Sequence, residues 1–293
     1  MATGKIIKAL SGFYYVLHEG TVYQCRGRGV FRKRKITPLV GDLVEFKAET
    51  VEEGYILAIE ERQNELVRPP ISNIDQALIV TSAVHPDFNS LLLDRFLVLV
   101  EAKRIEPLIV ISKLDQVADE VLQEMENYKN LYEGIGYPVI LSSVNDSQSI
   151  DQLQSHLAGR TTVIAGQSGV GKSSLLNSID PRLAIDTDEI SASLGRGKHT
   201  TRHVELYEIA GGLVADTPGF SSLEFGSLQL DQLSECFPEF VAVQDECKFR
   251  GCLHNKEPKC AVKAGVESGS IAQQRYEHYL QFVEEIYNRK PRY

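Results

Sequence analysis

A glycine-rich segment near the middle of the chain constrains the fold more than any other feature. Gly166–Ser173 reads GQSGVGKS, follows the apolar run Thr161–Ala165 and precedes the helix-like stretch Ser174–Ser178. A strand, this G-x-x-x-x-G-K-[ST] turn and a helix form a phosphate-binding loop. The glycines let backbone N–H groups surround a phosphate chain, and the helix N-terminus adds positive potential. We therefore expect a nucleotide-binding P-loop.

The P-loop segment supplies candidate site residues. We expect the Lys172 ammonium group to bridge the β- and γ-phosphates during catalysis, and the Ser173 hydroxyl to bind Mg²⁺. The nucleotide-contacting residues expected here are Gly166, Gln167, Ser168, Gly169, Val170, Gly171, Lys172, Ser173 and Ser174.

A second phosphate-site segment, DTPG, lies downstream at the end of the apolar strand Leu213–Ala215. Asp216 at this position can reach Mg²⁺ through water, and the Gly219 N–H group can contact a γ-phosphate. The same four residues also make a good turn, so the upstream P-loop decides the interpretation.

The segment Gly195–Thr201, which reads GRGKHTT, lies between these two motifs, where a nucleotide-dependent switch loop is expected. We expect Thr200 or Thr201 to close on Mg²⁺ during catalysis. Phe220, directly after DTPG, has no donor or acceptor to orient an attacking water. We therefore expect slow hydrolysis by the isolated chain and assign His199 as the catalytic candidate that aligns this water.

A base-recognition segment, SKLD, follows the apolar strand Pro107–Ile111. The Asp115 carboxylate can accept hydrogen bonds from guanine N1–H and N2–H₂, whereas adenine presents a lone pair at N1. We expect the Lys113 stem to lie over the purine ring. Asp115 thus favours a GTPase over a P-loop ATPase or kinase. The residues expected around the base are Ser112, Lys113, Leu114, Asp115, Ser142 and Ser143.

Three of the five cysteines lie within 247–260, next to a histidine. Three thiolates and one imidazole at this spacing are typical of a structural zinc site, which would hold a segment with little apolar core. Free cysteines beside a chance histidine are the alternative. The expected zinc ligands are Cys247, Cys252, His254 and Cys260, and we interpret Cys25 and Cys236 as buried apolar residues.

Five short strand-like pieces make up the first 60 residues or so, separated by turn pairs such as Ser11-Gly12. They predict a β-barrel of the OB type, with a five-stranded sandwich as the alternative. The stretch Arg26–Lys35 holds six cations around Phe31. Cations neutralise phosphates and an aromatic ring can stack on an unpaired base, so we expect RNA binding here rather than a merely solvated loop.

The rest of the chain divides by pattern. Strands and helices alternate over residues 63–224, which predicts a mostly parallel sheet with helices on both faces. We expect a linker at Pro69-Pro70 and helices at Leu228–Phe237 and Ile271–Asn288. The predicted domains are an OB-like β-barrel (1–62), an α/β P-loop domain (63–224) and a zinc-binding helical unit (225–293).

The base segment precedes the P-loop, the reverse of the order in ordinary GTPases, so we interpret the middle domain as a circularly permuted P-loop G domain. This order, the barrel before it, the cysteines after it and PLVGD at Pro38–Asp42 resemble the circularly permuted ribosome-assembly GTPases known as RsgA. The resemblance implies hydrolysis of GTP to GDP and phosphate, coupled to late maturation of the small ribosomal subunit. It also points to rRNA as the ligand of the barrel.

Charge and hydropathy indicate where in the cell we expect the protein to act. The net charge is −9, no apolar run reaches the ~18 residues of a membrane span, and the N-terminus does not read as a signal peptide. We expect a cytoplasmic monomer that uses GTP/GDP, Mg²⁺ and a single structural Zn²⁺, with no membrane partner. An RNA-binding scaffold with a vestigial nucleotide site remains the rival. We assign no role to the histidines expected at the surface, which are His18, His85, His156 and His278.

Overall fold

A computed structural model of the chain describes residues 1–29, 31, 36–67, 69–143, 146–183, 204–218, 223–226 and 228–289, with the backbone alone at 216–218. The predicted catalytic residues His199, Thr200 and Thr201 lie outside the described residues, as do Gly219, the Asp216 side chain and the cations at 32–35.

Five strands close into an N-terminal barrel in the order β1-β2-β3-β5-β4. Ile6, Val16 and Ile56 point inward and are fully buried, because alternate residues of a strand face opposite sides. The closed barrel confirms the OB-like prediction over the sandwich. Its strands are β1 (Ala2–Leu10), β2 (Phe13–His18), β3 (Thr21–Gly27), β4 (Leu43–Ala48) and β5 (Gly54–Ile59).

Phe31 does not serve as a stacking residue, so that prediction is wrong. Its side chain is 7% exposed and packs in the apolar core of the barrel. The backbone turns inward here, since the Phe31 N–H donates to the Arg28 carbonyl and the Ile36 N–H to the Phe31 carbonyl. Removing a phenyl ring from water lowers the free energy of the folded state, and the turn allows the Phe31 ring to be buried.

The proline pair expected in an extended linker lies instead at a β-hairpin made by β6 (Glu65–Val67) and β7 (Pro70–Ser72). Asp42 joins this hairpin to the barrel: its buried carboxylate accepts from Arg62 Nε at 2.8 Å and from Ser72 Oγ at 2.6 Å. Gly41 has a φ of +93°, and a Cβ there would lie 1.9 Å from the Ser72 carbonyl oxygen. The PLVGD segment therefore fixes the position of the β6–β7 hairpin against the barrel.

A six-stranded sheet forms the middle of the molecule, in the order β10-β9-β8-β11-β13-β12. Its described pairs are parallel except for the hairpin β12–β13, which confirms the predicted mostly parallel sheet. The P-loop strand β11 lies between β8 and β13. The strands are β8 (Gln76–Ser82), β9 (Glu106–Ser112), β10 (Val139–Leu141), β11 (Thr161–Ala165), β12 (Leu206–Ile209) and β13 (Gly212–Pro218).

Helices cover both faces of this sheet. Ala77 and Ile79 of β8 belong to one apolar core, and Leu78 and Val80 to the core on the opposite face. This explains why the strand is continuously apolar. The helices are α1 (Ser90–Glu101) and α2 (Asp119–Ile135) on the first face, and α3 (Ser147–Leu157) and α4 (Lys172–Ile179) on the second.

The C-terminal unit is helical, as expected, and the helix predicted at 271–288 is confirmed as Gln273–Tyr287. The expected helix at 228–237 is interrupted by a 3₁₀ turn at Ser234–Cys236, after which Pro238 begins a new helix because its fixed φ suits a first turn. The helices are α5 (Leu230–Leu233), α6 (Pro238–Val241), α7 (Ala261–Ser268) and α8 (Gln273–Tyr287). None of the helices in the described residues is long and apolar enough to cross a membrane.

Candidate nucleotide site and metal centre

The P-loop backbone depends on its glycines. β11 ends at Ala165 and α4 begins at Lys172. Gly169 and Gly171 have φ values of +83° and +93°, in the left-handed region that glycine adopts without strain. Gly166 also has a positive φ, and a Cβ there would lie 2.2 Å from the Val80 carbonyl oxygen. The loop can therefore lie close against β8 and bring its N–H groups to the end of the sheet.

Lys172 places a cation inside this loop. Its Nζ donates to the carbonyl oxygens of Gly166 at 2.9 Å and Gln167 at 2.6 Å. Lys172 and the following residue, Ser173, are both buried. Burial lowers the pKa of Lys172 to about 8, because desolvation disfavours its charged form. Carbonyl partners leave the positive charge uncompensated, so a phosphate anion would be attracted to it.

The base segment contacts the P-loop directly. Ser112 Oγ donates to the Val170 carbonyl at 2.6 Å and to the Thr81 carbonyl at 3.1 Å. Lys113 Nζ donates to the Gly169 carbonyl at 2.7 Å and to the carbonyl of His85. The structure thus brings together two motifs far apart in sequence. The serine predicted as a base contact uses its hydroxyl to fix the position of the P-loop.

Asp115 lies in a short 3₁₀ turn after β9 and is exposed. The Leu114 N–H donates to the Ser142 carbonyl at 3.4 Å, which places the end of β10 beside this turn. The Ser142 side chain is buried and its Oγ lies 3.2 Å from that of Ser149 on α3. Its hydroxyl therefore holds α3 rather than projecting as a free group, while Ser143 is half-buried next to it.

The end of β13 reaches the same edge of the sheet. Ile164 on the P-loop strand pairs with Pro218 of the DTPG segment in parallel register. Because parallel strands present their carboxyl ends at one edge, the P-loop, SKLD, Ser142-Ser143 and DTPG all converge there.

The four predicted zinc ligands meet in space, and their donor atoms all lie within 4.8 Å of one another. His254 Nδ1 is 3.4 Å from Cys260 Sγ and 3.6 Å from Cys247 Sγ, and those two sulfurs are 4.0 Å apart. A tetrahedral zinc with ordinary bond lengths separates two sulfurs by about 3.8 Å, and sulfur from nitrogen by about 3.5 Å. The donor set and its spacing therefore fit Zn²⁺.

Helix α8 supports this cluster through two tyrosines. Tyr276 donates its hydroxyl to the His254 carbonyl at 2.8 Å, and Tyr279 donates to the Leu253 carbonyl at 2.7 Å. The Ala261 N–H points at Cys247 Sγ at 3.3 Å, as an N–H group does toward a thiolate. Burial raises the pKa of the Cys252 thiol to about 12, and a bound cation would reverse that shift by stabilising the thiolate.

A buried ion network that the sequence interpretation missed joins the middle domain to the C-terminal unit. Asp94 on α1 accepts from Arg275 at 2.6 Å, from His278 Nδ1 at 2.6 Å and from the Tyr132 hydroxyl at 2.8 Å. Arg275 also pairs with Glu239 at 2.7 Å. His278 is therefore buried and bonded, not at the surface as predicted. The sequence feature that could have indicated this network is the single carboxylate, Asp94, inside the apolar run of α1.

These elements define a class of protein: a P-loop domain whose base-recognition segment precedes its phosphate loop, between a β-barrel and a Cys₃His cluster. The family model described as the RsgA GTPase matches residues 59–226, and the RsgA N-terminal domain matches residues 3–56. The chain belongs to the RsgA GTPase family.

Relatives and solved structures agree with this assignment over the full length. A protein of Geobacillus kaustophilus named small ribosomal subunit biogenesis GTPase RsgA is 63% identical over 100% of both chains. The crystal structure of YloQ, described as a circularly permuted GTPase, is 54% identical with a TM-score of 0.88 and covers 100% of this chain and 97% of that one. YjeQ from Thermotoga maritima is 34% identical, also with a TM-score of 0.88, over 99% of each chain.

Proposed function

We propose that this chain binds GTP, hydrolyses it to GDP and phosphate, and acts in the biogenesis of the small ribosomal subunit. One observation carries the proposal: Ser112 and Lys113 of the base segment donate hydrogen bonds to the P-loop carbonyls of Val170 and Gly169. The base segment and the phosphate loop are thereby held side by side, as one purine nucleotide would require.

Each group in that site has a proposed part. The N–H groups of Gly166–Ser174 surround the phosphates, and Lys172 balances their charge. Ser173 and Asp216 would hold Mg²⁺, which would neutralise charge on the phosphates. Asp115 selects guanine, as argued from its acceptor atoms.

The group that aligns the attacking water is proposed as His199, with Thr200 or Thr201 closing on Mg²⁺ and Gly219 contacting the γ-phosphate. The support is chemical: Phe220 follows DTPG and has no group to hold a water, whereas the His199 imidazole carries a donor and an acceptor.

The proposed partner is the small ribosomal subunit and its rRNA, bound through the barrel. The support is that relatives matching over the full length are named small ribosomal subunit biogenesis GTPases, together with the closed OB-like barrel. We place the protein in the cytoplasm, where subunits mature, and propose that it acts as a monomer. Cys247, Cys252, His254 and Cys260 are proposed to hold a structural zinc.

Single-turnover GTP hydrolysis with and without saturating small subunits tests this function. We expect slow hydrolysis alone, strong stimulation by the subunit, and loss of activity in Lys172→Ala. His199→Ala should retain GTP binding and lose the stimulation; a wild-type rate in this variant would remove its catalytic role. Equal affinity for ATP and GTP would favour the ATPase or kinase, and a Lys172→Ala rate equal to wild type would favour the scaffold.

A further inference from the structure

A row of alternating aromatic and cationic side chains crosses four neighbouring strands of the barrel. Phe13 on β2 lies opposite Arg26 on β3, Arg26 lies opposite Tyr55 on β5, and Tyr55 lies opposite Lys47 on β4. We name these four residues the aromatic row. Neighbouring strands are about 4.8 Å apart, so the two rings are separated by about 10 Å with a cation between them.

The row faces outward. The residues next to its members along the strands, Cys25, Phe46 and Ile56, are buried inside the barrel, and side chains alternate along a strand. Arg26 and Lys47 are exposed, and the Tyr55 side chain is 56% exposed.

The first ring of the row is already paired with its cation. The Arg26 guanidinium lies 4.9 Å from the Phe13 ring centroid, a cation–π contact that holds both side chains in place. Tyr55, by contrast, presents a large ring to water between two cations. The row therefore offers a flat apolar face together with positive charge on each side of it.

The position of the row on the barrel points to its ligand. It lies between the Ser11-Gly12 turn, which joins β1 to β2, and the β4–β5 connection at 49–53. OB-type barrels bind oligonucleotides on the β2–β3 face between these two connections. Rings that stack on bases, with cations beside them for the phosphates, are what single-stranded nucleic acid requires.

We propose that the aromatic row is a stacking site for unpaired bases of single-stranded RNA, with Tyr55 as its main platform. This inference rests on the proposed rRNA-binding function. Tyr55 takes the place of Phe31 as the aromatic contact, because the Phe31 ring is buried. The β4–β5 connection carries Glu49, Glu52 and Glu53, which repel phosphates. The RNA backbone therefore runs toward Arg26 on β3 and Arg28 just after that strand, away from these acidic residues.

The test uses the full-length protein and two probes: a fluorescent single-stranded RNA of about 12 nucleotides, and purified small ribosomal subunits. Tyr55→Ala should weaken binding of the RNA about 5- to 150-fold, because stacking on one ring is worth about 1–3 kcal/mol per base. Tyr55→Phe retains the ring and should bind within about twofold of wild type. The matched control is Tyr287→Ala, since Tyr287 is 77% exposed on α8, far along the chain from the barrel.

The outcomes separate this inference from the function on which it rests. Equal RNA affinity for wild type and Tyr55→Ala overturns the stacking site, as does a wild-type protein that binds subunits but not the RNA. If Tyr55→Ala weakens subunit binding alone, the row contacts a ribosomal protein and the RNA proposal is wrong. If the wild-type protein does not bind subunits at all, the proposed function itself is wrong. That result comes from the subunit measurement, whereas the stacking site is judged from RNA binding.

Discussion

Among single residues, Lys172 makes nucleotide binding depend on pH. Its pKa is lowered to about 8 by burial, and the phosphates of a nucleotide favour the charged ammonium. Above that pH the free protein must take up a proton on binding. We therefore expect GTP affinity to be nearly constant below about pH 8 and to fall by up to about tenfold per unit above it.

A titration of fluorescent, non-hydrolysable GTP analogue across this range measures the effect. Lys172→Arg is the matched control, because a guanidinium stays charged throughout and its affinity should show only the titration of the nucleotide itself. The same slope in both proteins would mean that Lys172 is not the group responsible.

The choice of base is the proposed role of Asp115. Asp115→Ala removes an acceptor for two guanine donors, and charged hydrogen bonds contribute about 1.5–3 kcal/mol each. Two such bonds are worth about 3–6 kcal/mol, so we expect GTP affinity to fall at least about 150-fold while the weak affinity for ATP stays the same. Asp119→Ala, an exposed carboxylate at the start of α2, is the control and should leave both affinities unchanged. An unchanged ratio of GTP to ATP affinity in Asp115→Ala would contradict guanine recognition by this residue.

At the scale of elements, we expect the segment 247–260 to depend on the zinc that its Cys₃His cluster is proposed to hold. It contains little regular structure, so ligation supplies folding free energy that apolar burial does not. Cys252→Ser should abolish zinc retention, measured by elemental analysis, and raise hydrogen exchange in 247–260 while exchange in the P-loop stays the same. Cys236→Ala, a buried cysteine outside the cluster, should keep its zinc. Unchanged exchange in 247–260 after loss of the ligand would remove the structural role.

At the scale of the whole molecule, Arg275 connects two domains. It is 1% exposed and bonded to Asp94 and Glu239, so Arg275→Met leaves the buried Asp94 carboxylate and the partly buried Glu239 carboxylate without this guanidinium. Breaking a buried pair from one side costs about 3–5 kcal/mol. We expect a large drop in the urea midpoint of the full-length protein, together with separation of the C-terminal unit.

The control for that measurement is Arg182→Met. Arg182 also pairs with an aspartate, Asp180, but its side chain is 85% exposed. Exposed pairs contribute little, so the midpoint should barely move. Equal shifts in the two variants would show that the Asp94 network does not hold the domains together.

The local parts of the protein could be predicted from its residues alone. The P-loop, the Asp115 turn and the cysteine cluster were predicted because their geometry is set by residue types at close spacing: glycines for positive φ, and ligands for one metal. The parallel sheet was predicted because strands buried on both faces, such as β8, are continuously apolar. The order of the motifs along the chain was enough to identify the permutation.

Contacts between residues far apart in the chain could not be predicted in this way. Phe31 is buried because the backbone after β3 turns it into the barrel, which no local pattern shows. The Asp94–Arg275 pair joins residues 181 positions apart, and the aromatic row exists only through the register of four strands. Contacts of this kind depend on how elements pack, and packing free energy is shared among many residues rather than encoded in the spacing of a few.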